Sequence, residues 1–466
     1  MSKMELENIV AFERYVCEVM EKDNAVGLAV SIVNDKGQTI YENFFGSRDR
    51  EKELPINENT VFGLASITKS FTSLGIIHLA DQGLLKLNDL VCKHIPEFKY
   101  EDITISHLLS HSAGFYPKAR KCVFDRADQL GLTPEKDGDL AYHKGLFEYA
   151  AAKQIQELNE AQRLIGEPGE YFSYSNDSFA LASEIIRRIS GEKTYTHYFE
   201  KYILAPLQMN RSSCKFHWND PNVSRLYNYR NGKLCGDWAF YEGMSVLPGA
   251  GAMKSTISDM RKYLCMYLNH GKIMGSARLV SSRLINEMLK PRNSCDLNKY
   301  YGYGLKIKEL GDLNVFEHGG DDPGVSSNFA WSYESGLGVV VLCNTSGVTV
   351  RTISDMAMLL ASGKDTSLMI QNANIVEWDA DFIEDVCGTY QSDEGFSISL
   401  TWENDKFIAG INGEKTIAYP INSYMILVKG NVADMMVKIY VNDDGRVWAL
   451  GGGYRIIPKL TKEEKI

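Results

Sequence analysis

The strand-like segments of this chain lie at its two ends, and a long, largely helical stretch separates them. Near the N-terminus, an amphipathic helix with Ile9, Phe12 and Val16 on one face precedes the β-rich hairpin GLAVSIVNDKGQTIYENFFGSRD. From about Tyr300, four strand-like runs and a last helix, VRTISDMAMLLASG, follow one another. Strands joined by short loops usually pair antiparallel. Both ends of the chain therefore complete one antiparallel sheet, and we predict an α+β fold with a helical insert.

A different pattern begins after residue 365. Residues 366–382 read as a linker, and the stretch beyond them alternates apolar and polar residues around Asn-Asp turns. A chain of 466 residues also exceeds what one hydrophobic core usually organises. We therefore predict a first domain over residues 1–365, a linker over 366–382 and a small all-β sandwich or barrel over 383–466.

Composition narrows the classes of partner. The formal net charge is −10, which argues against nucleic acid or an anionic membrane surface as the main partner. The first 22 residues lack the apolar run and cleavage site of a signal peptide, and no segment is long enough to span a membrane, so we expect a cytoplasmic protein. Nine scattered cysteines without a C-x-x-C pair predict neither a disulfide framework nor a zinc knot.

The segment GLASITKSFTSLGI places Lys69 three residues after Ser66. Residues at i and i+3 share one face of a helix, and a serine at a helix N-terminus lies beside free backbone N–H groups that favour an anionic transition state. A lysine buried in an apolar wall loses its proton near neutrality and accepts the proton of a serine. The pair is therefore a candidate nucleophile and base.

The S-x-x-K spacing alone is weak. It recurs at Ser190 and Ser212 in this chain, and a serine at the start of a helix is more often an N-cap than a nucleophile. Ser190 precedes a glycine at a helix end and Ser212 stands in a polar loop, which leaves Ser66 as the best placed.

Two further motifs strengthen the hypothesis. Tyr174 and Asn176 form a Y-x-N in PGEYFSYSND, in which a phenol carries a proton and an amide orients a carbonyl. His318 opens HGGDDPG at the end of a strand, and its two glycines permit close approach of the backbone to a ligand. Each motif is common by itself, and their joint occurrence in this order is what is improbable.

Together these stretches resemble the serine β-lactamase, D-alanyl-D-alanine peptidase and esterase superfamily, in particular its class C-like penicillin-binding-protein branch. The resemblance rests on SITK, ITISHLLSHSAGF, PGEYFSYSN, HGGDDPG and LPGAGAMKSTISDM. It implies an antiparallel sheet flanked by helices with an all-helical subdomain, and a covalent serine hydrolase. The C-terminal segment resembles the lipocalin-like barrels appended to some cytoplasmic members, and in certain D-aminopeptidases and peptide-cyclising relatives such a barrel contributes to substrate access. A stabilising or dimerising module is the alternative for this chain.

The resemblance also implies roles for single residues. Ser66 is the acylated nucleophile, Lys69 and Tyr174 share the proton transfers, and Asn176 holds the acyl side chain. No metal or other cofactor is implied. His107 and His111 stand at a spacing that can bind metal on a helix face, but no third ligand accompanies them.

The strand segment His318–Asp321 carries the remaining implied roles. The backbone N–H of Asp321 joins that of Ser66 in an oxyanion hole, and Gly319 and Gly320 line the substrate. His318 stands where many relatives have the lysine of K-T-G. Lysine is a permanent cation, whereas histidine is only partly charged near neutrality, and in the resembling families histidine marks esterases and D-aminopeptidases.

The sequence therefore predicts a serine hydrolase acting on small esters or amides, including D-amino-acid or short-peptide substrates. One alternative is a β-lactamase or D,D-carboxypeptidase in the strict sense. Others are a non-catalytic binding or sensing protein and an acyl-transferring, cyclising relative. The oligomeric state is left open.

Overall fold

The computed structural model describes residues 6–116, 123–160, 164–230, 233–238, 248–275, 277–369, 374–392, 394–411, 414–430 and 434–460. Its helices are α1 Leu6–Lys22, α2 Thr68–Asp81, α3 Val91–His94, α4 Ile105–Leu109, α5 Val123–Gln129, α6 Pro134–Asp137, α7 Lys144–Asn159, α8 Asn176–Ser190, α9 Tyr195–Phe199, α10 Ile257–Leu268, α11 Ser282–Met288, α12 Val350–Ala361 and α13 Ala380–Val386.

The strands fall into a first and a C-terminal group. The first group is β1 Gly27–Asn34, β2 Thr39–Asp49, β3 Leu54–Pro55, β4 Phe62–Gly63, β5 Leu226–Arg230, β6 Lys233–Trp238, β7 Lys254–Ser255, β8 Asn293–Asp296, β9 Lys299–Tyr301, β10 Lys306–Leu310, β11 Leu313–Asp322, β12 Val325–Ser332 and β13 Leu337–Cys343. The second group is β14 Gly388–Gln391, β15 Ser397–Glu403, β16 Lys406–Ile411, β17 Glu414–Asn422, β18 Met425–Val428, β19 Met435–Val441, β20 Val447–Gly452 and β21 Arg455–Pro458.

A nine-stranded antiparallel sheet joins the two ends of the first group, as the segment order predicts. Its order is β3-β2-β1-β13-β12-β11-β10-β9-β8, so the N-terminal hairpin pairs with the last strand along β1 and β13. Every residue of β1, β12 and β13 is buried, because α1 and α12 cover one face and α2, α8 and α10 pack towards the other. The predicted α+β layer architecture is confirmed.

The insert between β3 and β8 is mostly helical but contains two small β ribbons. Strands β4 and β7 pair beside the start of α2, and β5 and β6 form a hairpin over residues 226–238. The insert, which the resemblance implies to be all-helical, therefore also contains these two β ribbons. The segment LYNYRNGKLCGDW carries the Asn-Gly turn signal of such a hairpin, which was overlooked.

The C-terminal group forms an eight-stranded antiparallel sheet in simple sequential order. A bridge between Tyr390 and Lys459 brings its first and last strands together, so the sheet curls into a nearly closed barrel. Its interior is apolar and includes Ile398, Phe407 and Ile439. The division into 1–365, 366–382 and 383–466 stays a prediction, and α13 begins within the last residues assigned to the linker.

The outer face of the barrel packs against the first group. Ala449 and Ile456 of the barrel form a small apolar cluster with Ile165, and the rings of Tyr171 and Trp448 pack beside it. Within the described residues, no helix is long and apolar enough to cross a membrane.

Helix α10 offers a test of local stability. Thr256 caps it by accepting a hydrogen bond from the Asp259 backbone N–H at 3.1 Å. We expect Thr256→Ala to lower the free energy of unfolding by about 1 kcal/mol, measured by denaturant unfolding. Thr133 precedes α6 without such a side-chain bond, so Thr133→Ala is the matched control. Equal losses in both variants would contradict the capping role.

Candidate active site

Ser66 lies in a strained turn just before α2. A short 3-10 turn spans Ala65–Ile67, and the α-helix proper begins at Thr68, slightly later than the sequence suggests. Ala65 has a φ of 44°, which is uncommon for a residue with a Cβ and is typical of functional sites. The turn leaves Ser66 partly exposed while its neighbours are buried. Its hydroxyl therefore points from a rigid element into an accessible space.

Lys69 lies beneath Ser66 on the first turn of α2. Its Nζ is 3.1 Å from the Ser66 Oγ and donates to the Ala250 carbonyl at 2.8 Å. Burial holds the pKa of Lys69 well below its ordinary value, and the positive charge of Arg455 lowers this pKa further. Burial therefore favours the neutral amine of Lys69, the form whose lone pair can accept the proton of the Ser66 hydroxyl.

Tyr174 completes a triangle with these two groups. Its hydroxyl is hydrogen-bonded to Ser66, and the Lys69 Nζ lies 4.7 Å from the centre of its ring. Burial raises the pKa of Tyr174, so the group stays a phenol and can donate a proton. Asn176, the first residue of α8, is half-buried at the same edge. The structure thus brings the S-x-x-K and Y-x-N motifs together.

His111 supports Tyr174 from behind, a role that the sequence did not reveal. Its Nδ1 accepts the Ser175 N–H at 3.0 Å, and its ring centre lies 4.1 Å from that of Tyr174. Helix α4 ends at Leu109, so His107 and His111 do not share a helical face. Across the described residues, no group of three histidine, cysteine or acidic side chains could hold a metal ion.

His318 is buried within the sheet and does not reach the cleft surface. Its Nε2 is 2.9 Å from the Tyr301 hydroxyl and its Nδ1 is 2.6 Å from the Gly319 carbonyl. A carbonyl only accepts, so Nδ1 carries the proton and Nε2 accepts from the phenol. Burial, with a further contribution from Lys306, holds the pKa of His318 well below its ordinary value. The expected partial charge is therefore absent near neutrality.

The end of β11 offers a backbone edge beside Ser66. Strand β10 pairs with β11 only up to Glu317, whereas β12 pairs along the whole of His318–Asp322. The chain comes so close to the serine turn that a Cβ on Gly320 would lie 3.0 Å from the Ser66 N and 2.1 Å from the Leu64 carbonyl oxygen. The glycine thus permits the approach of two backbone segments. Strand β11 continues beyond Gly320 to Asp322, further than the sequence suggests.

Two acidic residues, Asp321 and Asp322, follow the glycines, and the lysines Lys69 and Lys254 act electrostatically on Asp322. Asp321 is exposed, and Asp322 is partly exposed. Desolvation, together with the charge of Asp321, raises the pKa of Asp322 to about 6, although Lys69 and Lys254 oppose this effect. A second buried lysine, Lys254, has a pKa of about 8 because of its burial.

A turn of the barrel also reaches the reactive group, which sequence reasoning missed. The Tyr174 N–H donates to the Tyr454 carbonyl at 2.9 Å, and the Arg455 guanidinium carbon is 5.4 Å from the centre of the Tyr174 ring. Tyr454 has a φ of 69° and follows Gly453 in the tight turn between β20 and β21. The GGGYR run predicts a turn at this position, but it does not indicate which residues the turn contacts.

The repeated motifs lie away from this centre or have other partners. The Ser212 hydroxyl donates to Asp259, and that of Ser190 donates to Arg187 at the end of α8. Tyr41 opens another Y-x-N, YEN, and its hydroxyl donates to Glu13 near α1, so this second copy of the motif is structural. The aromatic segment WAFY at 238–241 is a candidate lining of the substrate cleft by sequence, and most of it lies outside the described residues.

Comparison with known proteins finds relatives of this chain. The Beta-lactamase family model matches residues 12–362. Among curated relatives, Penicillin-binding protein 4* of Bacillus subtilis is 32% identical over 177 residues, which are 38% of this chain and 35% of that protein. Protein flp of Staphylococcus aureus is 31% identical over 205 residues, which are 42% of this chain and 36% of that protein. The match thus spans about a third of these relatives.

Solved structures extend the similarity to nearly the whole chain. The octameric penicillin-binding protein homologue from Pyrococcus abyssi is 26% identical, covers 97% of this chain and 100% of its own, and has a TM-score of 0.66. SurE in complex with D-Leu is 17% identical, covers 98% of this chain and 100% of its own, and has a TM-score of 0.71. At that identity, the second likeness shows the fold alone.

Proposed function

The chain belongs to the Beta-lactamase family, whose members are generally serine hydrolases, and we propose on this premise that it hydrolyses small esters or amides through an acyl-enzyme on Ser66. The proposed substrates include D-amino-acid derivatives and short peptides. The identity of the substrates is itself proposed, because the matched region covers only about a third of the length of the curated relatives.

One observation carries the proposal: a fully buried Lys69 whose Nζ is 3.1 Å from the Ser66 Oγ and whose pKa is lowered by that burial. An N-capping serine beside a surface lysine would show an exposed, protonated amine instead. Within the described residues, no carboxylate lies within ion-pair distance of Lys69. The amine can therefore take the serine proton instead of stabilising an ion pair.

The first step forms the acyl-enzyme. The Ser66 Oγ attacks the substrate carbonyl carbon while its proton moves to the Lys69 Nζ. The backbone N–H groups of Ser66 and Asp321 are the proposed donors to the resulting oxyanion. As the bond to the leaving group breaks, the Tyr174 hydroxyl gives its proton to the departing nitrogen or oxygen and regains one from Lys69. Asn176 holds the acyl part by its amide.

The second step releases the acid. A water molecule attacks the acyl carbon, its proton passes to the Tyr174 and Lys69 pair, and the Ser66 Oγ recovers a proton as it leaves. An amine that enters in place of water would give acyl transfer by the same proton path. We assign His318 a positioning role, because both of its ring nitrogens are engaged with protein groups.

A strict β-lactamase is the weaker candidate. Its substrates carry a carboxylate that the lysine of K-T-G helps to bind, and the neutral His318 supplies no charge at that place. We therefore expect penicillins to acylate Ser66 poorly compared with uncharged esters.

Labelling with a fluorophosphonate tests the proposal, since such a probe reacts irreversibly with an activated serine. Intact-protein mass is expected to show one adduct on the wild type and none on Ser66→Ala. Ser190→Ala, from another S-x-x-K segment, is the matched control and is expected to label fully. If wild type and Ser66→Ala carry the same adduct, or if neither does, the proposed nucleophile is wrong.

A further inference from the structure

The segment that carries Tyr174 has no helix or strand of its own. Residues 171–175 form an irregular stretch that ends where α8 begins, so their backbone N–H groups need partners elsewhere in the chain. The Ser173 N–H donates to the His111 carbonyl at 2.9 Å, and the Ser175 N–H donates to the His111 Nδ1 at 3.0 Å. The N–H between these two, that of Tyr174, is bound by the barrel instead.

The barrel makes two hydrogen bonds with this segment. The Tyr454 carbonyl accepts the Tyr174 N–H at 2.9 Å, and the Ile456 N–H donates to the Ser173 hydroxyl at 3.4 Å. Tyr174 is buried, and a buried N–H without a partner costs free energy comparable to a lost hydrogen bond. The position of the Tyr174 phenol therefore depends on the position of the barrel turn.

The turn holds a tyrosine at a position that favours glycine or asparagine. Gly453 and Tyr454 connect β20 and β21 as a two-residue turn, and their φ angles are 56° and 69°. Turns with two positive φ angles are built mostly from Asn, Asp and Gly, because other side chains are strained there. Such strain persists only where the surrounding structure holds the residue in place. The Tyr454 side chain must therefore make contacts that outweigh the strain.

Cations of α12 and of the large sheet hold the Tyr454 side chain. The Arg351 Nη1 donates to its hydroxyl at 3.2 Å, and the Lys306 Nζ lies 3.8 Å from the centre of its ring. A cation at this distance is attracted to the face of an aromatic ring. Burial opposes ionisation of this phenol, but the charges of Arg351, Lys306 and Lys299 outweigh that effect and lower the pKa of Tyr454.

These contacts continue into strand β11. The Arg351 Nε lies 3.5 Å from the carboxylate of Glu317, which is fully buried and also accepts a hydrogen bond from the Lys308 Nζ at 2.9 Å. Three residues further along the same strand, Gly320 lies against the backbone of Ser66. The barrel turn is thus fixed to the strand that borders the nucleophile.

We propose that Tyr454 is a positioning residue of the active site, which holds the Tyr174 backbone so that the phenol meets the leaving group. The contacts run from Arg351 to the Tyr454 hydroxyl, from the Tyr454 carbonyl to the Tyr174 N–H, and from the Tyr174 hydroxyl to Ser66. The barrel is then a part of the reaction centre itself. This inference rests on the proposed function, because it concerns the proton that Tyr174 gives to the leaving group.

Two acetate esters separate this proton transfer from the rest of the reaction. p-Nitrophenyl acetate and ethyl acetate give the same acetyl-enzyme, and kcat/KM for each ester reports how fast it forms. The bond from the acyl carbon to the leaving oxygen breaks in both. p-Nitrophenolate leaves without a proton near neutrality, whereas ethoxide has to take the proton of the Tyr174 hydroxyl as it departs. A displaced Tyr174 therefore slows the reaction of ethyl acetate more strongly.

Variants of Tyr454 in the full chain test the role. Tyr454→Gly suits a positive φ and removes the side chain. We expect it to lower kcat/KM for ethyl acetate by about tenfold or more, part of the 10²–10⁴ that a positioned proton donor typically contributes, and that for p-nitrophenyl acetate by less than about threefold. Tyr454→Asn, which also tolerates this backbone conformation, is expected to show the same pattern. Tyr454→Phe keeps the ring beside Lys306 and should retain most of both rates. Tyr424→Gly is the matched control, since Tyr424 lies in the two-residue turn between β17 and β18 and is 50% exposed. It should leave both rates unchanged.

The outcomes separate the two proposals. Thermal unfolding and fluorophosphonate labelling are measured on each variant, and both should stay close to the wild type. A ratio of the two ester rates that is unchanged in Tyr454→Gly and Tyr454→Asn would overturn the positioning role. Equal losses for both esters would also overturn it, since a merely structural role of the turn affects both reactions alike. Neither result bears on Ser66, whose role is decided by the adduct on the wild-type protein.

Discussion

Replacing Lys69 by methionine is expected to lower kcat/KM for an activated ester by about 10²–10⁴, the contribution typical of a positioned general base. The variant keeps a side chain of similar length and removes only the amine. Lys69 is fully buried and its Nζ hydrogen-bonds only to Ser66 and Ala250 among the described residues. We therefore expect the fold to persist, measured by thermal unfolding, while the rate of acylation falls.

The pH profile identifies the reason for the loss. The neutral amine is the active form, and burial holds the pKa of Lys69 well below its ordinary value. The rate should therefore rise with pH through this lowered pKa and level off above it, and this acid limb should disappear in Lys69→Met. Lys254→Met is the matched control, because Lys254 is also a buried lysine of lowered pKa and donates to the Lys215 carbonyl. The kcat/KM of the Lys254→Met variant should fall less than tenfold. If Lys69→Met keeps the wild-type limb, a different group is the base.

Gly320→Ala is expected to lower kcat by at least 10², although it adds a single methyl group. The new Cβ would lie 2.1 Å from the Leu64 carbonyl oxygen and 2.5 Å from the Ser327 Oγ. The first is a backbone atom and the second belongs to a buried side chain, so neither can give way easily. Strand β11 must therefore move away from the serine turn. That movement separates the N–H groups of Ser66 and Asp321, and losing one such donor typically costs a factor of about 10²–10³ in kcat.

The neighbouring glycine is the control for this prediction. A Cβ on Gly319 would meet its nearest atoms at 3.3–3.5 Å, so Gly319→Ala should keep kcat within tenfold of the wild type. Both variants are compared by the kcat for an ester and by the rate of fluorophosphonate labelling. Similar losses in the two variants would show that the close approach at Gly320 has no special role in the reaction.

Local patterns predicted much of the fold because their physical causes are local. The hairpin of β1 and β2, the strands β10–β13 and helix α12 follow from alternation and helical periodicity. The i, i+3 spacing of Ser66 and Lys69 also survives in the structure, since it depends only on the geometry of one helical turn. The β5–β6 hairpin was missed although its sequence carries an Asn-Gly turn signal between two short runs.

The chain by itself determined the order of its elements, the chemistry of its motifs and its family. Only the tertiary structure decided which repeated motif is buried beside which partner. Ser66, Ser190 and Ser212 share one spacing, yet the β11 strand reaches Ser66. The lowered pKa of Lys69 and the place of Arg455 beside Tyr174 likewise depend on packing between segments far apart in the sequence. Charge state follows burial and neighbouring charges, and these exist only once the chain has folded.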